Sequence, residues 1–253
     1  MTVKQRSERN SSYKCLTFDC FGTLIDWETG IYTALSPLMQ QLSPSHPLYN
    51  NRPGALEAFI KHEGHVQSEN PTELYDKVLA KTYERLAFEF GVQLDAGGGE
   101  RFGASVGEWK PFPDTIEALQ RLKKRFKLVI LSNVDKKSFE RTLTNQFADV
   151  EFDAIYTAEE IGSYKPDPRN FKYLIEHCET DLGVKKNEII HTAYALKHDL
   201  EPAAKAGLES AYVERREGSE SIMGGDLQTF KGSLGFSWHF QTLGQMADAF
   251  VPN

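Results

Sequence analysis

The stretch "CLTFDCFGTLIDW", Cys15 to Trp27, ends an apolar run on one acid, Asp19. Two places later stands an aromatic, Phe21, and then the turn-forming pair Gly22-Thr23. An apolar run of this length bounded by a turn predicts a strand buried on both faces. A carboxylate at its end, facing a turn rich in backbone N–H groups, is placed to act as a nucleophile. Gly22 lets the chain turn tightly, and Thr23 can give its hydroxyl to the acid or to a substrate.

Working outward, similar apolar runs recur, joined by helical patterns. "KCLTFD" (14–19), "FKLVILSN" (126–133), "FDAIYTAEE" (152–160), "NEIIHTA" (187–193) and "ESAYVER" (209–215) read as strands. "DTIEALQRLKKRF" (114–126), "PRNFKYLIEHCETDLG" (168–183) and "DLEPAAKAGL" (199–208) read as helices. Such alternation predicts an α/β fold with a parallel sheet covered on both faces. Ligands of such sheets sit beyond the carboxyl ends of the strands. The alternation lapses over residues 28–104, which read as helices separated by "SPSHP", "ENP" and "DAGGG". The expected organisation is a core of residues 13–27 and 105–253, interrupted by a helical cap at 28–104 that serves as a lid. The polar residues 1–12 read as a frayed tail, "EGSESIMGGDLQTFKGS" as a surface loop, and "GFSWHFQTLGQMADAF" as a last strand and closing helix.

Bulk properties narrow the function. The 253 residues carry 29 basic and 36 acidic side chains, a net charge of -7, which disfavours nucleic acid or an anionic membrane as partner. No apolar run approaches the ~20 residues that span a bilayer, and the N-terminus lacks the apolar centre of a secretory signal. The three cysteines, Cys15, Cys20 and Cys178, follow no metal-ligand spacing, and a reduced, cytoplasmic protein is expected. Cys20, beside Asp19, reads as a small buried hydrophobe.

Other strand ends supply matching parts. Ser132 and Asn133 bring a hydroxyl and an amide that can hold an anion or orient a carboxylate. Lys165 lies in "GSYKPDPRNF", whose Pro166 and Pro168 stiffen the backbone. A cation fixed there would keep Asp19 ionised. Asp199 follows the strand "NEIIHTA" within "HTAYALKHDL". Singly these are a turn serine, a surface lysine and a helix cap; in this order at strand ends they form a site.

"FDCFGTLIDW", "LSN", "YKPDPRNF" and "HTAYALKHD" resemble, in order, the four motifs of the haloacid dehalogenase superfamily. The nearest branch resembles the type II 2-haloacid dehalogenases and related azetidine-carboxylate hydrolases. The resemblance implies a Rossmann-like core with an inserted cap, Asp19 as nucleophile, Ser132 as binder of an oxyanion or substrate carboxylate, and Lys165 as charge partner. It also implies a small-molecule carboxylate as substrate; a homodimer is common in the family.

Superfamily members that cleave phosphate esters carry a second acid two residues after the nucleophile, to protonate the departing alkoxide. Here Phe21 stands there and cannot move a proton. A halide needs none, and a ring helps exclude water. Tyr194 stands where the phosphatase form has its first fourth-motif acid, leaving Asp199 as the second acid beside Asp19. Mg²⁺ is therefore disfavoured, and no cofactor is expected. Asp199 is the leading base for the hydrolytic water and a partner for Lys165.

The helix matching the family's substrate-gripping cap segment, "ALEAFIKHEGHVQ", has Lys61, His62, Glu63 and His65 but no arginine. Phe171 falls on the family's third-motif aromatic without a tyrosine hydroxyl. Substrate contacts are expected from Phe21, Thr23, Trp27, Ser132, Asn133, Lys61, Glu63 and Phe171, with Trp27 and Trp109 at the cap hinges. A cap with Glu63 and two histidines could suit a substrate carrying an ammonium group, such as a strained cyclic amino acid opened at its C–N bond. A weak Mg²⁺-dependent phosphatase and a non-catalytic protein of the same fold are the rival expectations.

Overall fold

A computed structural model describes residues 12–215, 227 and 235–252. The expected tail, apart from Ser12, and the Gly/Ser-rich loop, apart from Leu227, lie outside the described residues. The core is a six-stranded parallel sheet in the order β3-β2-β1-β4-β5-β6. Its strands are β1 (Cys15–Phe18), β2 (Lys127–Ser132), β3 (Ala154–Thr157), β4 (Ile189–Ala193), β5 (Glu209–Val213) and β6 (Phe236–Phe240). Every residue of β1 and β4 is buried, as expected of central strands covered on both faces. Strand β6, at the edge, shows exposure that alternates along its length.

The chain runs from β1 outward to β2 and β3, then crosses back to place β4 on the other flank of β1. The strand order therefore reverses beside β1. Loops leaving the carboxyl ends of β1 and β4 part in opposite directions and open a crevice there. Asp19, the first residue after β1, stands at that point, with its N–H bonded to the Thr192 carbonyl at 3.1 Å.

Between β1 and β2 the chain is helical: α1 (Trp27–Ala34), α2 (Arg52–Glu69), α3 (Tyr75–Phe90), α4 (Gly98–Ala104), and, after the chain returns, α5 (Thr115–Lys123). The Asp26 side chain caps α1 by accepting from the Thr29 N–H, and Asn51 caps α2 by accepting from Gly54. The two crossings between sheet and insertion run side by side. Asp26 donates its N–H to Lys110, and Phe112 donates to Leu24. Trp109 packs edge-on against Phe21, ring centres 5.5 Å apart, at the second crossing. One apolar cluster continues from Phe18 and Ile130 of the sheet to Phe59 and Leu79 of the insertion.

Beyond β2 follow α6 (Lys136–Gln146) and α7 (Pro168–Leu182). After β4 the expected helix over 199–208 is shorter: a π-helical turn, Leu196–Leu200, precedes α8 (Glu201–Lys205). The chain closes with α9 (Leu243–Phe250). Among the described residues no helix is long and apolar enough to cross a membrane.

Candidate active site

The strand ends converge on one ammonium. Lys165 Nζ donates to Asp19 Oδ1 at 2.8 Å, to Asp199 Oδ1 at 2.6 Å and to the Leu131 carbonyl at 2.9 Å. Lysine carries three N–H donors and no acceptor, so all of its protons are engaged. Lys165, Asp19 and Asp199 are only 3%, 6% and 1% exposed. Asn133 fixes the lysine backbone from both sides, accepting from the Lys165 N–H at 2.7 Å and donating to its carbonyl at 3.0 Å.

The network continues outward. Thr23 donates its hydroxyl to Asp19 Oδ2 at 2.7 Å and accepts from the Tyr194 N–H at 3.1 Å. His191, within β4, places Nε2 3.2 Å from Asp199 Oδ1 and Nδ1 2.9 Å from the Thr17 hydroxyl. The π-helical turn carries Asp199 back toward the lysine; such turns often mark functional positions.

Electrostatics separate the two acids. Burial raises the Asp19 carboxyl above the ordinary range, and Lys165 and Thr23 only partly counter it. Burial also works against ionisation of Asp199, but Lys165 and His191 outweigh it and hold that carboxyl below the usual range. Burial likewise disfavours the Lys165 cation, and the two carboxylates more than compensate, so it stays charged. One ammonium thus serves two carboxylates.

Gly22 adopts φ +98°, a region costly for other residues. A Cβ there would lie 2.2 Å from the Tyr194 ring and 3.1 Å from Trp27 Nε1. Both rings border a cavity of about 170 Å³ above Asp19. Its floor includes Asp19, Phe21, Ser132, Asn133, Lys165 and Asp199; Trp27, Tyr194 and His198 flank it. Its roof is Ile60, Glu63, Gly64 and Gln67 of α2, with Tyr75 of α3. The α2 residues follow an i, i+3, i+4, i+7 spacing, one face of a helix.

Several expected contacts are corrected. Lys61 lies two residues from Glu63, about 200° around the helix, is exposed, and pairs with Glu89 at 3.3 Å outside the cavity. Phe171 is buried behind the site, edge-on to His191 at 5.0 Å, because α7 turns Phe171, Leu174 and Cys178 toward the sheet. Thr23 is wholly buried, is not among the residues lining the cavity, and gives its one hydroxyl proton to Asp19, so it is placed to orient that acid.

Tyr75, His198 and Gln67 were not foreseen as wall residues. Tyr75 donates its hydroxyl to Glu63 Oε1 at 2.8 Å, a pairing between helices that local pattern does not encode. His198 and Gln67 were visible in principle: one adjoins Asp199, and the other shares the helical phase of Glu63. Burial lowers the His198 imidazole below its ordinary value, keeping it neutral. Among the described residues no group of three or more His, Cys, Asp or Glu side chains is placed to share a metal ion. The two acids of the site, Asp19 and Asp199, share the Lys165 ammonium, at 2.8 and 2.6 Å.

A buried strand-end acid, a lysine from the loop after β3 and a second acid after β4, under a helical insertion, define a hydrolase site of a recognised kind. The sequence matches the haloacid dehalogenase-like hydrolases over residues 13–207, and the chain belongs to that family. Among curated relatives, (S)-2-haloacid dehalogenase 4A of Burkholderia cepacia is 25% identical over 209 residues, covering 81% of this chain and 84% of the relative. A glyceraldehyde 3-phosphate phosphatase of Methanocaldococcus jannaschii is 31% identical over 155 residues, covering 60% of this chain and 63% of the relative. Among solved structures, L-2-haloacid dehalogenase from Xanthobacter autotrophicus superposes with a TM-score of 0.73 at 17% identity, covering 93% of this chain and 97% of that one.

Proposed function

We propose that this hydrolase displaces a leaving group from C2 of a small carboxylic acid through an ester on Asp19, without a metal. The observation that carries the reading is the pairing of a buried Asp19, bonded to Lys165 and Thr23, with a proton-inert ring, Phe21, beside it in the same cavity. An Asp19 oxygen attacks C2 in line as the bond to the leaving group breaks and its electron pair departs with that group. Water then adds to the Asp19 carbonyl carbon, the ester C–O bond breaks, and the 2-hydroxy acid leaves. The raised Asp19 favours attack, because a poorly solvated carboxylate is the stronger nucleophile.

Ser132 Oγ is buried with no hydrogen-bond partner among the described residues, and its residue lines the cavity, so it is suited to the substrate carboxylate. Asp199 is held ionised and is a weak base; it anchors Lys165 and orients the water. The neutral His198 imidazole, which also lines the cavity, is the better proton acceptor. A curated relative is named a 2-haloacid dehalogenase, and a solved structure of the Xanthobacter enzyme carries chloropropionic acid covalently bound. The insertion acts as the cap, and the three free, buried cysteines suit a cytoplasmic protein.

Halide release from 2-chloropropanoate, measured with and without EDTA beside a phosphate ester, tests this. EDTA-insensitive dehalogenation that Asp19→Asn abolishes is expected. Robust turnover of the phosphate ester that needs metal would contradict it.

A further inference from the structure

The roof of the cavity holds a carboxyl with no cation. Glu63 Oε1 accepts the Tyr75 hydroxyl at 2.8 Å, and among the described residues no lysine, arginine or histidine pairs with Glu63. Asp19 and Asp199 line the same cavity. Against these acids stands Lys165, whose ammonium protons are all taken within the protein. His198 is neutral, and no arginine is among the lining residues. The cavity therefore has a surplus of negative charge and no free cation. An occupant bearing only a negative charge would find the neutral Ser132 hydroxyl but no free cation among the described lining residues, so it is held more weakly than one that brings its own positive charge.

We propose that Glu63, backed by the Tyr75 hydroxyl, is a cation subsite that holds an ammonium group of the substrate. The inference rests on the reading that Asp19 attacks C2 of a small carboxylic acid. The substrate class becomes an amino acid with its leaving group at C2: the carboxylate meets the unpartnered Ser132 hydroxyl on the floor, and the ammonium meets Glu63 at the roof. A neutral hydroxyl is enough at the floor because the substrate brings its own balancing charge. The wall is otherwise apolar or uncharged near Glu63, with Ile60, Gly64 and Gln67 on the same helical face.

The charge state of Glu63 gives an independent signature. Burial lifts its carboxyl to about 7, so in the free protein it is largely protonated below neutrality. Tyr75 faces it directly; Tyr164 and Asp135 lie beyond that hydroxyl, and Asp19, Lys165, Asp199 and His198 face it across the cavity. On its own helix, His62 is engaged with Glu89. An incoming ammonium drives Glu63 to ionise, so binding releases a proton and strengthens as pH rises toward 7.

The test compares 2-chloro-3-aminopropanoate with 2-chlorobutanoate, which keeps the same reacting carbon and replaces the ammonium by a methyl group. The amino compound is expected to be preferred in kcat/KM by about 10- to 100-fold. That ratio should fall to near one in Glu63→Gln. Calorimetry on the Asp19→Asn protein should show proton release with the amino compound, and affinity rising roughly tenfold or more between pH 5 and 7. The chlorobutanoate should show neither. Equal turnover of the two compounds, or a preference that survives in Glu63→Gln, would overturn the inference and leave the Asp19 chemistry standing. Turnover of neither compound contradicts the Asp19 reading instead, and the calorimetric comparison alone then decides: no proton release and no selectivity in binding sinks the subsite.

Discussion

The floor and the roof of the cavity are built on different principles. On the floor, Asp19, Thr23, Asn133, Lys165, His191 and Asp199 form a continuous network in which the lysine has no spare donor. On the roof, Glu63 has one neutral partner, Tyr75, and the remaining wall is sparsely polar. On the proposed reading, the saturated floor fixes which atom attacks, and the unsaturated roof sets which molecule is attacked. The floor also hangs on a sheet whose central strands are entirely buried, whereas the roof is carried by the insertion between two adjacent chain crossings.

The sharpest way to break this contrast is to remove the centre of the floor. Lys165→Met strands two buried carboxylates, and a stability loss of about 3–5 kcal/mol is expected in urea unfolding, with activity lost. A loss below 1 kcal/mol would show that the floor does not depend on its cation.

Glu63 sharpens the contrast from the other side. Its carboxyl rises from an ordinary 4.5 to about 7 on folding, so the folded state holds its proton more tightly than the unfolded chain. Its contribution is therefore fully present below pH 4.5 and is lost as pH rises through 7. Glu63→Gln should stabilise the free protein by up to about 3 kcal/mol at pH 8 and by little at pH 4. A roof residue that costs the free protein stability when ionised is the pattern of a group that awaits a cationic ligand. A pH-independent difference between the two proteins would remove that argument.

At the seam between floor and roof, Gly22→Ala should cost about 1–3 kcal/mol and impair turnover, because the new methyl displaces Tyr194 and sits at a positive φ. The smallest effect belongs to Lys61→Ala. Its exposed pair with Glu89 should contribute less than about 1 kcal/mol, and kcat/KM should stay within about twofold. A larger kinetic effect would return Lys61 to the cavity.

The same contrast explains what the sequence could reveal. Floor residues lie at strand ends, and a buried strand announces itself as an apolar run, so Asp19, Ser132, Asn133 and Asp199 were readable from position alone. Lys165 was readable from the prolines around it. The fold class and the place of the insertion followed from where the alternation stops. Roof residues depend on helical phase and on pairing between helices. Reading "IKHEGHVQ" as one polar segment admitted Lys61 with Glu63, although a helix turns them to opposite sides. The Tyr75 contact joins α2 to α3 across twelve residues, and no short-range pattern specifies it. Phe171 was placed by resemblance, but its helix uses that position for packing against the sheet.

The proposed reaction requires a covalent bond between Asp19 and the substrate carbon. A single turnover in H₂¹⁸O, with excess enzyme over 2-chloro-3-aminopropanoate or 2-chloropropanoate, followed by mass spectrometry of the Asp19 peptide and of the product, tests it most directly. The prediction is ¹⁸O in the Asp19 carboxyl and an unlabelled first product hydroxyl. Label in the product with none in Asp19 during confirmed turnover would mean that water attacks the substrate directly, and would contradict the account.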